Sequence, residues 1–251
     1  MKMTFTQKHP YWAAILLALL CTIFTALGTV IPQITALEEV PTLWVMAVAV
    51  AVSAGIGLFI MAKSRFSVSE YGFNKRFRKT AGKVWFYIPL IIIELIPIIV
   101  SGFSKDIAPS LYIAVAFFTI AVGFNEEIYF RGLALKFLSE KGIKKAIVWS
   151  SIIFGFLHIA NAFNGRNLQY IVLQISFAFV VGFVLAEIVS ITESIWVVII
   201  WHTAHDFIAM TMTTQDTLDT TALVILAAQT IILLVYAVAL WKKNGINKQK
   251  A

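Results

Sequence analysis

Three apolar stretches of this chain carry ionisable side chains. IAVGFNEEIYFRGLAL holds Glu126, Glu127 and Arg131, WSSIIFGFLHIAN holds His158, and SIWVVIIWHTAHDFI holds His202, His205 and Asp206. The chain has only four histidines in 251 residues, so three of the four lie in such stretches. An ionisable group at bilayer depth costs about 2.5–3.5 kcal/mol on insertion scales, which makes each a functional-site hypothesis by default. Carboxylates and imidazoles gathered together can take and return protons near neutral pH, the chemistry that activates water.

The spacing divides the labour. On a helix Glu127 and Arg131 are four apart on one face, in the orientation that favours an ion pair. Glu126 is turned about 100° from Glu127 and is free to point into a cavity. There an apolar setting makes its carboxyl a usable proton acceptor and donor. His158 follows Phe154 by four, so an aromatic ring shields one side of the imidazole. His202 and Asp206 are also four apart, so a carboxylate can orient an imidazole or the two can line one cavity. His205 reads as a contact to a neighbouring helix or to interfacial water. A lone histidine in an apolar helix is commonly a hydrogen-bonded core residue. Three helices that all turn polar groups inward are not what packing requires.

The elements that must position these groups are membrane helices. Hydrophobic residues make up 60% of the chain and charged residues 13%, with mean hydropathy +0.87. A soluble domain is nearer a quarter charged, so the fold class is an all-α polytopic membrane protein forming one domain over 1–251. Runs of about 20 apolar residues fall near 11–35, 41–62, 84–103, 109–134, 145–163, 168–190, 194–212 and 221–241, predicting eight transmembrane helices with the site inside the bundle. The first is too long for a cleavable signal peptide and reads as a retained span. Cys21 lies in it and reads as a small buried hydrophobe.

With alternating spans, all of the 20 Lys and Arg except Lys105 and Arg166 fall on one face. The positive-inside rule then places both termini in the cytoplasm, as in a bacterial plasma membrane. Glu38, Glu39, Asp106, Asp216 and Asp219 mark the outer connections. The net charge of +7 follows from that bias and from attraction to anionic lipid, and needs no nucleic acid. The polar stretch 64–83, with its interleaved aromatic and basic residues, suits a short helix or loop on the inner membrane surface. Counted from the expected cytoplasmic ends, His202 lies about 12 Å deep and His158 about 20 Å, with Glu126 shallower. These depths agree if the fourth helix runs on through Lys136 with its lysines snorkelling.

Glu126-Glu127-x-x-x-Arg131, then Phe154-x-x-x-His158, then His202-x-x-x-Asp206, in that order on separate spans, resemble the CPBP family of intramembrane proteases. The family includes CAAX prenyl endopeptidases and bacterial proteins linked to bacteriocin processing and self-immunity. Gly182 and Ala186 look like its small-residue span, and the catalytic core implied covers about 109–212. The resemblance implies peptide-bond hydrolysis, with Glu126 and His158 deprotonating a water. His202 and Asp206 would stabilise the oxyanion, while Glu127 and Arg131 would hold the helix and tune Glu126. The family often has Asn where this chain has Asp206. An ionised carboxylate cannot donate to an oxyanion, so Asp206 is expected to orient His202 as an imidazolium.

Two points stay open. Glu126, His158 and His202 could serve as a three-ligand zinc site, but there is no HExxH; a site that requires no cofactor is the reading taken. Glu94, between Pro89 and Pro97, could line a substrate path or cap backbone groups freed by the prolines. The function expected is an intramembrane endopeptidase acting on membrane-associated peptides or proteins near the cytoplasmic face. The alternative is a non-catalytic bacteriocin-immunity or membrane scaffold protein. A proton-coupled transporter lacks the inverted repeat it would need. The sequence is silent on oligomeric state.

Overall fold

The apolar periodicity is realised as helices throughout. The computed structural model describes residues 4–74, 86–164, 168–212 and 219–246. Arg166, Asp216, the basic run from 75 to 83 and the last lysines lie outside them. After a single turn at Phe5–Lys8, the chain forms α1 Pro10–Ile34, α2 Glu39–Lys63, α3 Ile88–Val100, α4 Pro109–Ser139, α5 Ile143–Ala162, α6 Leu168–Thr192, α7 Trp196–Thr211 and α8 Thr220–Ile246.

Six of these helices are long and apolar enough to cross a membrane, and the chain is an integral membrane protein. The other two of the eight predicted spans are short. α3 has 13 residues and α7 has 16, about 20 and 24 Å at 1.5 Å per residue against a hydrocarbon core of about 30 Å. Pro97 weakens the end of α3, and the chain leaves it through Gly102 at φ 68°. Before α7, Glu193 stands at φ 55°. After it, Met212 turns extended and bridges Phe103. Hydropathy alone cannot see these stops, because the flanking residues are themselves apolar.

α4 departs in the opposite sense. It continues to Ser139, a full turn and more past the predicted end, with a π-helical stretch over Ile128–Ala134. A π turn inserts an extra residue and re-aims the side chains beside it, here directly after Glu126 and Glu127. Lys136 on the extension reaches Glu70 at 3.3 Å and covers the Phe66 ring at 4.4 Å. Its charge leaves the apolar layer as a snorkelling lysine does.

Close crossings bring the polar stretches together. α4 packs on α2 and α7, α5 on α6, and α6 on α8. A Cβ at Gly123 would fall on the Thr203 hydroxyl, so a glycine lets α4 and α7 approach one turn before the two glutamates. At Gly182, in the small-residue span, a Cβ would meet Phe154 at 2.9 Å and Arg131 Nη2 at 3.3 Å. The outer surface is apolar: Trp12, Leu16, Ile23 and Leu27 on α1 and Val48, Val52 and Phe59 on α2 are exposed. Lys63, Arg65, Lys136, Lys144 and Lys243 share one end, where Arg65 pairs with Glu140 and Lys144 covers Trp241. The described part of the 64–83 stretch is a 3-10 turn, Val68–Tyr71, docked at that end, with Gly72 accepting the Ile195 amide at 3.0 Å.

Candidate active site

Glu127 and Arg131 meet as their spacing predicts. Arg131 Nη1 donates to Glu127 Oε1 at 2.9 Å, with both side chains almost wholly buried. The same oxygen also accepts a 2.7 Å bond from His202 Nδ1. The carboxylate that orients His202 is therefore Glu127, on α4, and not Asp206, its i+4 neighbour. The cause is the α4–α7 crossing: a direct bond across it outcompetes the longer reach along one helix.

With Nδ1 committed, His202 Nε2 faces Glu126 Oε2 at 3.7 Å and Asp206 Oδ2 at 3.6 Å. Neither is within hydrogen-bond range. The ring nitrogen and two carboxylates thus surround a gap that one oxygen atom could bridge. Glu126 Oε2 is buried and makes no hydrogen bond.

His158 ends the regular part of α5, and its Nδ1 lies 2.9 Å from the Phe154 carbonyl. A carbonyl only accepts, so Nδ1 carries the proton and Nε2 of the neutral ring is left as an acceptor. Phe154 joins the site: its ring lies 4.9 Å from His158 and 6.1 Å from His202, with the Arg131 guanidinium 4.0 Å above it. A guanidinium over a desolvated ring is held by cation–π attraction.

Glu126 and His158 line one cavity of about 490 Å³. Its far wall is α1, where Thr22, Thr25, Thr29 and Gln33 face inward, and it lies in the half of the bundle away from the lysine-rich end. Cys21 is buried as expected, and Asn125 Nδ2 donates to its sulfur at 3.1 Å. Among the described residues, no group of three His, Cys, Asp or Glu side chains is placed to hold a metal ion. Glu126, His158 and His202 as arranged do not fit a three-ligand centre.

Sequence reasoning missed a second pairing. His205 Nδ1 donates to Glu94 Oε1 at 2.9 Å, with the His205 ring stacked on Trp201 at 5.0 Å. Glu94 does not cap the α3 backbone. The Ile93 carbonyl, which Pro97 deprives of its amide partner, accepts instead from Gln229 Nε2 at 2.8 Å. An acid and a histidine at matching depth on neighbouring spans were the only available signal.

Residues 108–208 match the model of the type II CAAX prenyl endopeptidase Rce1-like family. This segment is similar to the family that the motifs resemble. The Rce1-like segment contains α4 to α6 and most of α7, with Glu126, Glu127, Arg131, His158, His202, His205 and Asp206; Glu94 lies outside it. A comparison with curated proteins finds no match.

Proposed function

We propose that the chain is an intramembrane endopeptidase of a bacterial plasma membrane, hydrolysing a membrane-associated peptide or protein by water activation without a metal. The observation that carries this reading is the facing of unspent groups. Glu126 and His158 line one cavity, Glu126 Oε2 makes no hydrogen bond, and His202 Nε2 stands beside Glu126 with no bond of its own.

A water in that cavity has two protons and meets two acceptors, Glu126 and His158. Glu126 takes one proton as the water oxygen attacks the scissile carbonyl carbon. The oxyanion that forms is stabilised by His202, whose Nε2–H donates while Glu127 holds Nδ1. Surrounded by Glu126, Glu127 and Asp206, His202 is suited to act as an imidazolium. The tetrahedral intermediate collapses, the C–N bond breaks, and the proton on Glu126 passes to the leaving nitrogen. The acid formed gives up its remaining proton through His158 to the amine, so the products are a carboxylate and an ammonium. Arg131 offsets the charge of Glu127, leaving Glu126 to the reaction.

With the basic end cytoplasmic, the cavity faces the outer half of the membrane. The substrate is then a segment reaching that depth; a prenylated tail, as the family name describes, is one candidate class. The test is to express wild type and Glu126→Gln at matched levels in a host lacking the gene and compare membrane-associated and secreted peptides by mass spectrometry. Peptides that appear only with wild type support the protease. Identical peptide sets, with one phenotype rescued by both, would leave the immunity or scaffold alternative. Chelators are expected to leave the rate of the purified protein unchanged.

A further inference from the structure

A second cavity, of about 300 Å³, lies on the other side of Asp206 from the water-activating groups. Its walls come from α3, α6, α7 and α8, and its polar groups include Glu94, Asp206, His205, Gln174 and Gln229. Glu94 is 8% exposed, and its Oε2 is buried without a hydrogen-bond partner while Oε1 is held by His205. A carboxylate oxygen left bare in an apolar bundle is costly unless something fills the place beside it. Among the described residues, no Lys or Arg lines this cavity. With both carboxylates ionised, its walls stay negative whichever state His205 takes. Phe177 and the His205 ring, 5.7 Å apart, supply flat apolar surface beside the acids.

Asp206 connects the two cavities. It lines the second and faces His202 Nε2 at 3.6 Å, so a peptide whose carbonyl sits at His202 has neighbouring residues within reach of Glu94. We propose that this cavity is a specificity subsite for a lysine or arginine side chain of the bound peptide, received by Glu94. The inference rests on the endopeptidase reading for its place beside the scissile bond, but not for its chemistry. An alkylammonium or guanidinium would give Oε2 the donor it lacks, while the stem of the side chain lies along the aromatic wall. His205 is the positioning residue: its bond to Oε1 fixes the carboxylate at the cavity wall. The two cavities then read one peptide in two ways, an apolar, threonine-lined pocket on one side of the cut and an acidic one on the other.

The test measures binding, so that it stands apart from hydrolysis. The Glu126→Gln protein in lipid nanodiscs is titrated with alanine–leucine hexapeptides bearing one lysine, or its uncharged counterpart norleucine, at each position in turn. At one position lysine is expected to bind at least tenfold tighter. Glu94→Gln, which keeps the acceptor for His205, should abolish that preference and leave the norleucine peptide unchanged. Gln174→Glu, which adds a carboxylate to the same cavity, should increase it. Equal binding of lysine and norleucine at every position overturns the subsite. So does a preference that survives Glu94→Gln, or one that Gln174→Glu fails to raise. If wild type cuts none of the peptides but the lysine preference is present, the endopeptidase reading fails and the subsite stands.

Discussion

The two glutamate–histidine pairs of this bundle have the same chemistry and different surroundings. Glu127 and His202 are joined at 2.7 Å, and the same glutamate oxygen takes Arg131 at 2.9 Å. Glu94 and His205 are joined at 2.9 Å with no Lys or Arg beside them among the described residues, while a second oxygen without a hydrogen bond is common to both glutamates. In the first pair the charge is compensated within the protein, so the pair becomes a rigid support that leaves Glu126 free. In the second it is not, so the pair is left with something to bind. Counterions therefore separate a supporting carboxylate from a receiving one more clearly than depth or burial does.

The largest expected effect contrasts Glu126 with Glu94. Glu126→Gln should lower the hydrolysis rate by about 10²–10⁴, the range for loss of a general base. Glu94→Gln should change which peptides are cut while sparing an uncharged one, with progress curves on matched peptides as the measurement. Next comes the buried ion pair. Arg131→Gln leaves Glu127 buried without its cation and should destabilise the fold by about 3–5 kcal/mol. The double variant with Glu127→Gln should recover part of that loss in thermal unfolding in detergent. His205→Gln should cost less, about 1–3 kcal/mol, because Glu94 borders a cavity. Equal losses for Arg131→Gln and His205→Gln would dissolve the distinction between the pairs. Phe154→Leu removes the ring under Arg131 and should cost about 2 kcal/mol of stability, together with looser placement of His158.

The smallest effect lies outside the membrane. The Ser67 backbone amide, aided by the Ser67 hydroxyl and Lys136, holds the exposed Glu70 carboxyl below its usual range. A carboxyl with a lowered folded value contributes above its unfolded value and loses that contribution as pH falls through the folded one. The docked turn Val68–Tyr71 should loosen on acidification, and Glu70→Gln should remove that dependence in hydrogen exchange of the turn.

The helical class and the resemblance to the CAAX endopeptidase family were legible in the sequence because both are written locally, in runs of apolar residues and in i, i+4 motifs. The pairing of Glu127 with Arg131 was legible for the same reason. What crosses between helices was not. The bond from His202 to Glu127 depends on how α4 and α7 cross at Gly123, and the meeting of Glu94 with His205 on how α3 lies against α7. The π stretch of α4 and the short lengths of α3 and α7 were also hidden, since their neighbours are equally apolar. Pro97 misled in an instructive way. It does free a carbonyl, but the donor that answers it is Gln229, 136 residues further along the chain.

The most direct test of the central claim is hydrolysis in ¹⁸O-labelled water. Purified wild-type protein in nanodiscs, given a peptide identified by the comparative expression experiment, should place one ¹⁸O in the new carboxylate. Glu126→Gln, folded to the same melting temperature, should form labelled product about 10²–10⁴ more slowly. Labelled product from Glu126→Gln at the wild-type rate would contradict the assignment of Glu126 as the base.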